Sequence, residues 1–438
     1  MIIMKTSGMD ESLRVVLETH NPWLREPGTQ RAALGRLLPD PWIPRSRKLD
    51  PQPGGLLIAG PRQVGKTSLI RHVLARRDDP ALVLLAEEPR IRELCRSPAE
   101  ALAVLGGVLT PGTILFFDEI QHLADAPLFI KGLVDLDPRR RVIVTGSSSF
   151  QFRAGTRESL AGRARRVRLL PLSMDEISFT VDEALLSAVR EQELSENWRR
   201  MLVYGGYPAV WQAAEPATEL HHLIEAFVLK DASDLNTIEH PSALRALLRL
   251  AAADVGNLVN MNAWAAQAGV SRGTALRYLE IAADAHVVQF VSPFIGGRRA
   301  EITGASKLFF LDNGLRNALF GGFGEPDGRS DRGALFENAV FGEICKYAAL
   351  LDEIHYWRSK NGAEVDFVIR RGGRLIAIEA KSKALAAPGL SRSAHSFIDA
   401  YSPAVFAVVN STLHHDTDIH GAPVRFRRPW EIRELLEI

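Results

Sequence analysis

Cysteine is nearly absent: Cys95 and Cys345 are the only two in 438 residues. That is too few for a disulfide framework or a cysteine zinc site, and it fits a reducing cytoplasm. Neither sign of charge dominates, with 53 Lys and Arg against 52 Asp and Glu, so global charge names no partner. No apolar run approaches the roughly 18 residues that a membrane helix needs, and the N-terminus lacks the apolar core of a signal peptide. Internal repeats and low-complexity tracts are missing too. What remains is the composition of an ordinary globular protein, long enough for about three domains.

The strongest positive signal is Gly60-Pro61-Arg62-Gln63-Val64-Gly65-Lys66-Thr67. It fits G-x-x-x-x-G-K-[ST], the phosphate-binding loop. Leu56-Leu57-Ile58-Ala59 before it reads as a buried parallel strand, and Ser68 to Arg76 after it as a helix. Glycines let backbone N–H groups close on phosphate oxygens, and the helix N-terminus adds positive potential. Gly60, Arg62, Gly65, Lys66, Thr67 and Ser68 are therefore the nucleotide-binding candidates. Lys66 is expected at the β- and γ-phosphates, and the Thr67 hydroxyl at Mg²⁺.

Residues 1–50 read as a peripheral segment, rich in Pro and Arg after Asn21, that wraps the next domain and carries no assigned chemistry. Residues 51–172 alternate apolar runs (55–59, 82–86, 114–118, 142–146, 167–170) with helical segments, which predicts a mostly parallel sheet covered on both faces. The third run, Ile114-Leu115-Phe116-Phe117, ends in Asp118-Glu119, the Walker B form. Asp118 is expected to hold Mg²⁺ through water, and Glu119 to polarise the attacking water. The fourth run ends in Gly146-Ser147-Ser148-Ser149, where Ser147 or Ser148 is a candidate γ-phosphate contact. Nine arginines against one acid, Glu158, fall between Arg139 and Arg168, a stripe suited to phosphate or an acidic neighbour. No GTPase-type N-K-x-D follows, which favours ATP.

GPRQVGKT, LFFDEIQ, VTGSSS, LAGR and the following LLPLS resemble the prokaryotic AAA+-type predicted ATPases whose C-terminal region was long catalogued as a domain of unknown function. Gly205-Gly206-Tyr207-Pro208 and Phe309-Phe310-Leu311-Asp312-Asn313-Gly314-Leu315 also look like that family's motifs. The resemblance covers nearly all of the chain after about residue 50. It implies a nucleotide site completed between subunits of a homo-oligomer, with Arg163 as the matching arginine-finger candidate among several arginines of the tract.

Residues 173–235 read as helices (174–179, 181–188, 193–203, 218–231), the position of an AAA+ helical lid. Residues 236–305 carry helix-turn-helix spacing: a helix through Trp264, the Gly269 turn, the Ser271 cap and a helix from Arg272 to Ala283. With Val287–Pro293 as a strand and Gly296–Arg299 as a wing tip, a winged helix is expected. Arg272, Arg277 and Tyr278 are its candidate DNA contacts, although six arginines against five acids leave a purely architectural role equally open.

Residues 306–438 hold a second chemical signal. The expected order is helix 333–350, strands 353–357, 363–369 and 375–381, helix 393–401 and strand 404–410, the order of a restriction-endonuclease-like core. With a four-residue loop at 371–374, Asp366 lies opposite Glu379, and period-2 alternation puts Lys381 on the same face as Glu379. This resembles the PD-(D/E)xK nuclease signature without its proline. Asp366 and Glu379 match the metal ligands, Lys381 the water activator, and Glu337 a candidate extra ligand.

The fold class expected is α/β: a P-loop sheet of AAA+ type with a helical lid, a winged helix and a nuclease-like α/β domain. The leading function is Mg²⁺-dependent ATP hydrolysis coupled to DNA binding, with DNA cleavage as an open extension. The alternatives are a regulatory ATP switch with an inactive nuclease-like module, and a DNA-remodelling motor without nuclease activity.

Overall fold

A computed structural model describes residues 9–146, 162–182, 185–226, 238–294, 296 and 304–437. The chain divides after Leu169 into two compact units.

The first unit is built on β1 (Gly54–Ala59), β2 (Ala81–Leu85), β3 (Ile114–Asp118), β4 (Arg141–Gly146) and β5 (Ala164–Arg168). All pair in parallel, in the order β2-β3-β4-β1-β5. The strands read as unbroken apolar runs because each face of the sheet has its own core. Leu57, Leu115, Phe117 and Val144 pack on one side with Phe129 and Leu133, while Leu56, Ile58, Phe116 and Ile143 pack on the other with Leu69 and Leu74. The fifth strand begins three residues before the apolar run that predicts it. As a half-buried edge strand, Ala164–Arg168 tolerates polar residues, and the apolar Leu169–Leu170 follows it.

The N-terminal segment closes the other edge. The Asn21 amide donates to the Val83 carbonyl (2.9 Å) and its Oδ1 accepts the Val83 N–H (2.6 Å). Trp23 Nε1 donates to the Ala81 carbonyl (2.8 Å), and Gln30 Oε1 accepts the Ala81 N–H (2.9 Å). Side chains thus take the backbone groups that a further strand would have paired.

The second unit carries β6 (Val288–Pro293), β7 (Lys307–Phe310), β8 (Glu353–Arg358), β9 (Glu364–Arg371), β10 (Arg374–Lys381), β11 (Val405–Asn410), β12 (His415–Ile419) and β13 (Ala422–Arg427). They form one sheet, in the order β12-β13-β11-β10-β9-β8-β6-β7. The helix Arg332–Tyr347 precedes β8, and the helix Arg392–Tyr401 makes the crossover between the parallel strands β10 and β11. The β9–β10 connection is tighter than the expected four-residue loop. Arg371 pairs with Arg374, and Gly372 and Gly373 alone turn the chain, both at positive φ. The register is the one expected.

The expected helix 193–203 begins earlier, as Ser187–Tyr204, because no breaker interrupts that stretch, whereas Val181, Asp182, Leu185 and Leu186 of the expected helix 181–188 lie outside any helix. The last expected helix spans Pro216–Ala226, and residues 227–231 lie outside the described residues. The motifs GGYP and LDNGL meet in space. Asp312 caps the helix Asn313–Phe320 by accepting the Leu315 N–H (3.2 Å), and its other oxygen accepts the Gly206 N–H (2.7 Å). Asn313 and Asn317 donate to the Leu202 carbonyl, Asn317 also to that of Val203, which satisfies the C-terminal end of Ser187–Tyr204. The LLPLS stretch is held similarly: Lys346 donates to the Leu172 carbonyl (2.9 Å) and Glu343 accepts the Met174 N–H (3.0 Å). These motifs are structural joints of the second unit.

Candidate functional site

The phosphate loop leaves β1 at its carboxyl end and enters the helix Lys66–Ala75. Gly60 is required by packing, since a Cβ there would lie 2.0 Å from the Leu169 carbonyl oxygen. Gly65 is required by conformation, at φ 91°. The buried Lys66 ammonium folds back onto the loop, donating to the carbonyls of Gly60 (3.0 Å) and Pro61 (2.9 Å). From outside the motif, Arg45 donates to the Val64 carbonyl (3.0 Å). Arg62 is half-buried in the loop, and Ser68 lies in the first turn of the helix.

Placing β4 between β1 and β3 sets three polar groups side by side. The Thr67 hydroxyl lies 2.9 and 2.8 Å from the two oxygens of Asp118. The Thr145 hydroxyl, on β4, donates to Asp118 Oδ1 and accepts the Glu119 N–H (3.1 Å). Burial raises the Asp118 carboxyl above the usual carboxylate range, with the Thr145 and Thr67 hydrogen bonds pulling the other way. Glu119 stands at φ 52°, the left-handed region, directly after the strand, and Gln121 donates to its carboxylate. Hydroxyl and carboxylate oxygens beside a phosphate loop suit a hard divalent cation. Thr145 is the residue that sequence reasoning missed. Its signal is a hydroxyl in an otherwise apolar strand, one residue beyond the Phe117–Val144 pair. Ser147, with Ser148, lies outside the described residues.

Arg163 precedes β5 and forms an ion pair with Asp135. It sits at the amino end of the sheet, next to the Gly55–Ala164 pair. Its own phosphate loop begins five strand residues away, roughly 16 Å at about 3.3 Å per residue. Within one chain, Arg163 and Lys66 are not brought together.

In the second unit, the helices Met261–Gln267 and Arg272–Asp284 are joined by a short turn, with Ser271 capping the second through the Thr274 N–H (3.1 Å). Arg272 and Arg277 are exposed. Tyr278 is not available to a partner: it is 2% exposed, and its hydroxyl accepts the His240 N–H (3.1 Å). Its place on the inner face of the helix, next to Leu279, makes it core. Arg298 and Arg299 of the expected wing tip lie outside the described residues.

Asp366 and Glu379 come together as the spacing predicts. The β9–β10 ladder runs from Arg371–Arg374 to Phe367–Ile378, so the next pair in register is Asp366 with Glu379. Asp366 Oδ2 accepts the Ala380 N–H (2.8 Å), and Glu379 Oε1 accepts the Ser391 hydroxyl (2.6 Å) at the start of the helix Arg392–Tyr401. Lys381 Nζ lies 3.0 Å from Glu379 Oε2 with its side chain 43% exposed, so the lysine reaches both the pair and solvent. Burial, with a contribution from the Glu379 charge, pushes the Asp366 carboxyl up to about 6 against the Ala380 N–H, Lys381 and Lys307. Glu337 is pushed up to about 8, by burial and then by Asp366. It does not join the pair as an extra ligand. It meets Lys307 Nζ at 3.5 Å, and among the described residues no three His, Cys, Asp or Glu side chains gather to hold one ion.

Residues 52–178 match the model of an AAA domain; residues 195–325 and 332–424 match two domains of unknown function, DUF8612 and DUF4143. The match and the parallel sheet with its phosphate loop define an AAA-type P-loop ATPase-like domain. The chain is 28% identical over 371 residues to an uncharacterized protein of Mycobacterium tuberculosis, Rv2008c, covering 82% of this chain and 77% of that one. It is 23% identical over 326 residues to an uncharacterized protein of Methanocaldococcus jannaschii, MJ1544, covering 72% and 71%. Among solved structures, the Walker-type ATPase PABY2304 of Pyrococcus abyssi aligns at TM-score 0.38 and 16% identity, over 60% of this chain and 90% of that one. Among the described residues, no helix is long and apolar enough to cross a membrane.

Proposed function

We propose that the protein is an Mg²⁺-dependent ATPase of cytoplasmic homo-oligomers that couples its nucleotide state to DNA held by the second unit, with metal-dependent cleavage at Asp366, Glu379 and Lys381. The observation that supports the ATPase half best is the hydroxyl–carboxylate relay Thr67–Asp118–Thr145–Glu119 at the carboxyl end of the sheet. Lys66 would exchange its loop carbonyls for phosphate oxygens. Thr67 and Asp118 would hold Mg²⁺, which supplies charge neutralisation for phosphoryl transfer when bound. Glu119 would accept the proton of the attacking water, held in position by Thr145 through its backbone.

The nuclease half is supported by the Asp366–Glu379 pair on one face with Lys381 beside it. The two carboxylates would hold a divalent cation, which supplies Lewis-acid stabilisation at a scissile phosphate when bound. Lys381 would orient the water. The helix pair 261–284, with the exposed Arg272 and Arg277, would form a winged-helix contact to the phosphate backbone.

The test is to incubate the full chain with labelled linear, branched and single-stranded DNA, with Mg²⁺ or Mn²⁺, with and without ATP. Metal-dependent cleavage that Asp366→Ala abolishes while ATP turnover persists supports the whole reading. DNA-stimulated turnover without cleavage points to a motor, and turnover indifferent to DNA points to a regulatory switch.

A further inference from the structure

The carboxylate pair has a neighbour that the nuclease-like pattern does not supply. Lys307 opens β7 and is only 4% exposed. Its ammonium pairs with Glu364, lies 3.5 Å from Glu337 Oε1 and sits 5.3 Å from the centre of the Tyr356 ring. Four carboxylates (Glu337, Glu364, Asp366, Glu379) therefore share two buried or half-buried ammonium groups, Lys307 and Lys381. Arg358 touches only the outer oxygen of Glu364, at 3.8 Å. Among the described residues the cluster thus offers four carboxyl groups to two ammonium groups, a surplus of the hard oxygen ligands that a divalent cation takes.

The backbone of Lys307 is tied to the segment that leads into the helix pair. Leu258 bridges to Lys307, the Val259 N–H donates to the Ser306 carbonyl (2.9 Å), and the Gly256 N–H donates to that of Leu308 (3.1 Å). Gly256 also backs directly onto Glu337, where a Cβ would lie 3.3 Å from its Oε2. The residue that pairs with Glu337 and the surface that packs on it are thus both tied to the segment between the helices Pro241–Ala253 and Met261–Gln267.

We infer that Lys307 is a built-in competitor of the divalent cation. While its ammonium holds Glu337 and Glu364, Glu337 is withheld from the Asp366–Glu379 pair; when β7 shifts with the helix pair, Glu337 is released to complete the site. This rests on the reading of Asp366 and Glu379 as a cation site. It adds that a segment outside that site sets its affinity.

The test measures Mn²⁺ binding by calorimetry and by the spin-resonance signal of free Mn²⁺, on the nucleotide-free full chain. An Asp118→Asn background silences the phosphate-loop site. Lys307→Met is expected to bind Mn²⁺ at least ~10-fold tighter than the Lys307 protein, and Lys307→Arg, which keeps the charge, to stay within ~3-fold. Adding Glu337→Gln to Lys307→Met is expected to remove the gain. Lys307→Gln, which keeps a hydrogen-bond donor, takes the place of Lys307→Met if circular dichroism shows the latter unfolded. If Asp366→Asn abolishes binding but loss of the Lys307 charge does not tighten it, the competitor role is overturned and the cation pair stands. If Asp366→Asn leaves binding unchanged, the cation pair itself is overturned, and the inference with it.

Discussion

The carboxylate of Asp312 occupies the space in which a side chain at Gly205 would begin: a Cβ there would lie 2.1 Å from Asp312 Oδ1. Gly205 also stands at φ 71°, ψ −162°, a backbone region open only to glycine. Gly205→Ala is therefore expected to destabilise the second unit by about 3 kcal/mol or more. Asp312→Asn should cost about 1–3 kcal/mol, because one of the two buried N–H groups it serves loses its acceptor. Denaturant midpoints of the full chain measure both. Values within about 0.5 kcal/mol of wild type would show that the two motifs do not hold each other.

At the phosphate loop the roles separate by assay. Lys66→Ala should abolish binding of a fluorescent ATP analogue, since it removes the cation proposed to meet the β- and γ-phosphates. Glu119→Gln should keep binding and stop phosphate release. Thr145→Val keeps the volume but loses both hydrogen bonds to the Walker B carboxylates' strand end. It should retain binding and slow turnover by about 10- to 100-fold. Equal loss of binding in all three would contradict this division.

Arg163→Ala should spare nucleotide binding and slow turnover by roughly 10³-fold if the arginine acts on a neighbouring subunit's site. Mixing Arg163→Ala with Lys66→Ala chains should restore part of the activity at undamaged junctions. A fully active monomer, sized by sedimentation during turnover, would rule this out.

Asp331 provides a pH signature. Burial pushes its carboxyl up, but the hydrogen bonds and charges of Arg329 and the fully buried Arg316 outweigh this and bring it down to about 2. A depressed folded-state value contributes stability that is present above pH 3.8 and lost as pH falls through 2. Allowing for screening at its partly exposed side, the contribution is about 1–2 kcal/mol. Asp331→Asn should be clearly less stable than wild type at pH 7, with the difference shrinking between pH 4 and 2. A pH-independent difference would assign the loss to packing alone.

The parts legible in the sequence were those whose signal is local. GPRQVGKT and FFDE fix strand, loop and helix within a few residues, and the Asp366–Glu379 register follows from a turn only two glycines long. What escaped depended on neighbours distant in sequence. Thr145 matters because β4 inserts between β1 and β3. Lys307 matters because β6 and β7 extend the sheet of β8 to β13. Tyr278 looked like a surface residue until the His240 segment covered it. The roles of GGYP and LDNGL as joints needed both partners, more than 100 residues apart, to be seen together.

The amide groups of Asn21 and Gln30 and the Trp23 indole stand where a sixth strand would stand, so β2 is an edge only in strand count. Its amide protons at Ala81 and Val83 should exchange with solvent as slowly as those of an interior strand. Asn21→Ala would expose the donor and acceptor of Val83, about 60 residues from the altered position. The template offered there would invite backbone pairing between copies of the chain, the route by which sheet proteins begin to form fibres.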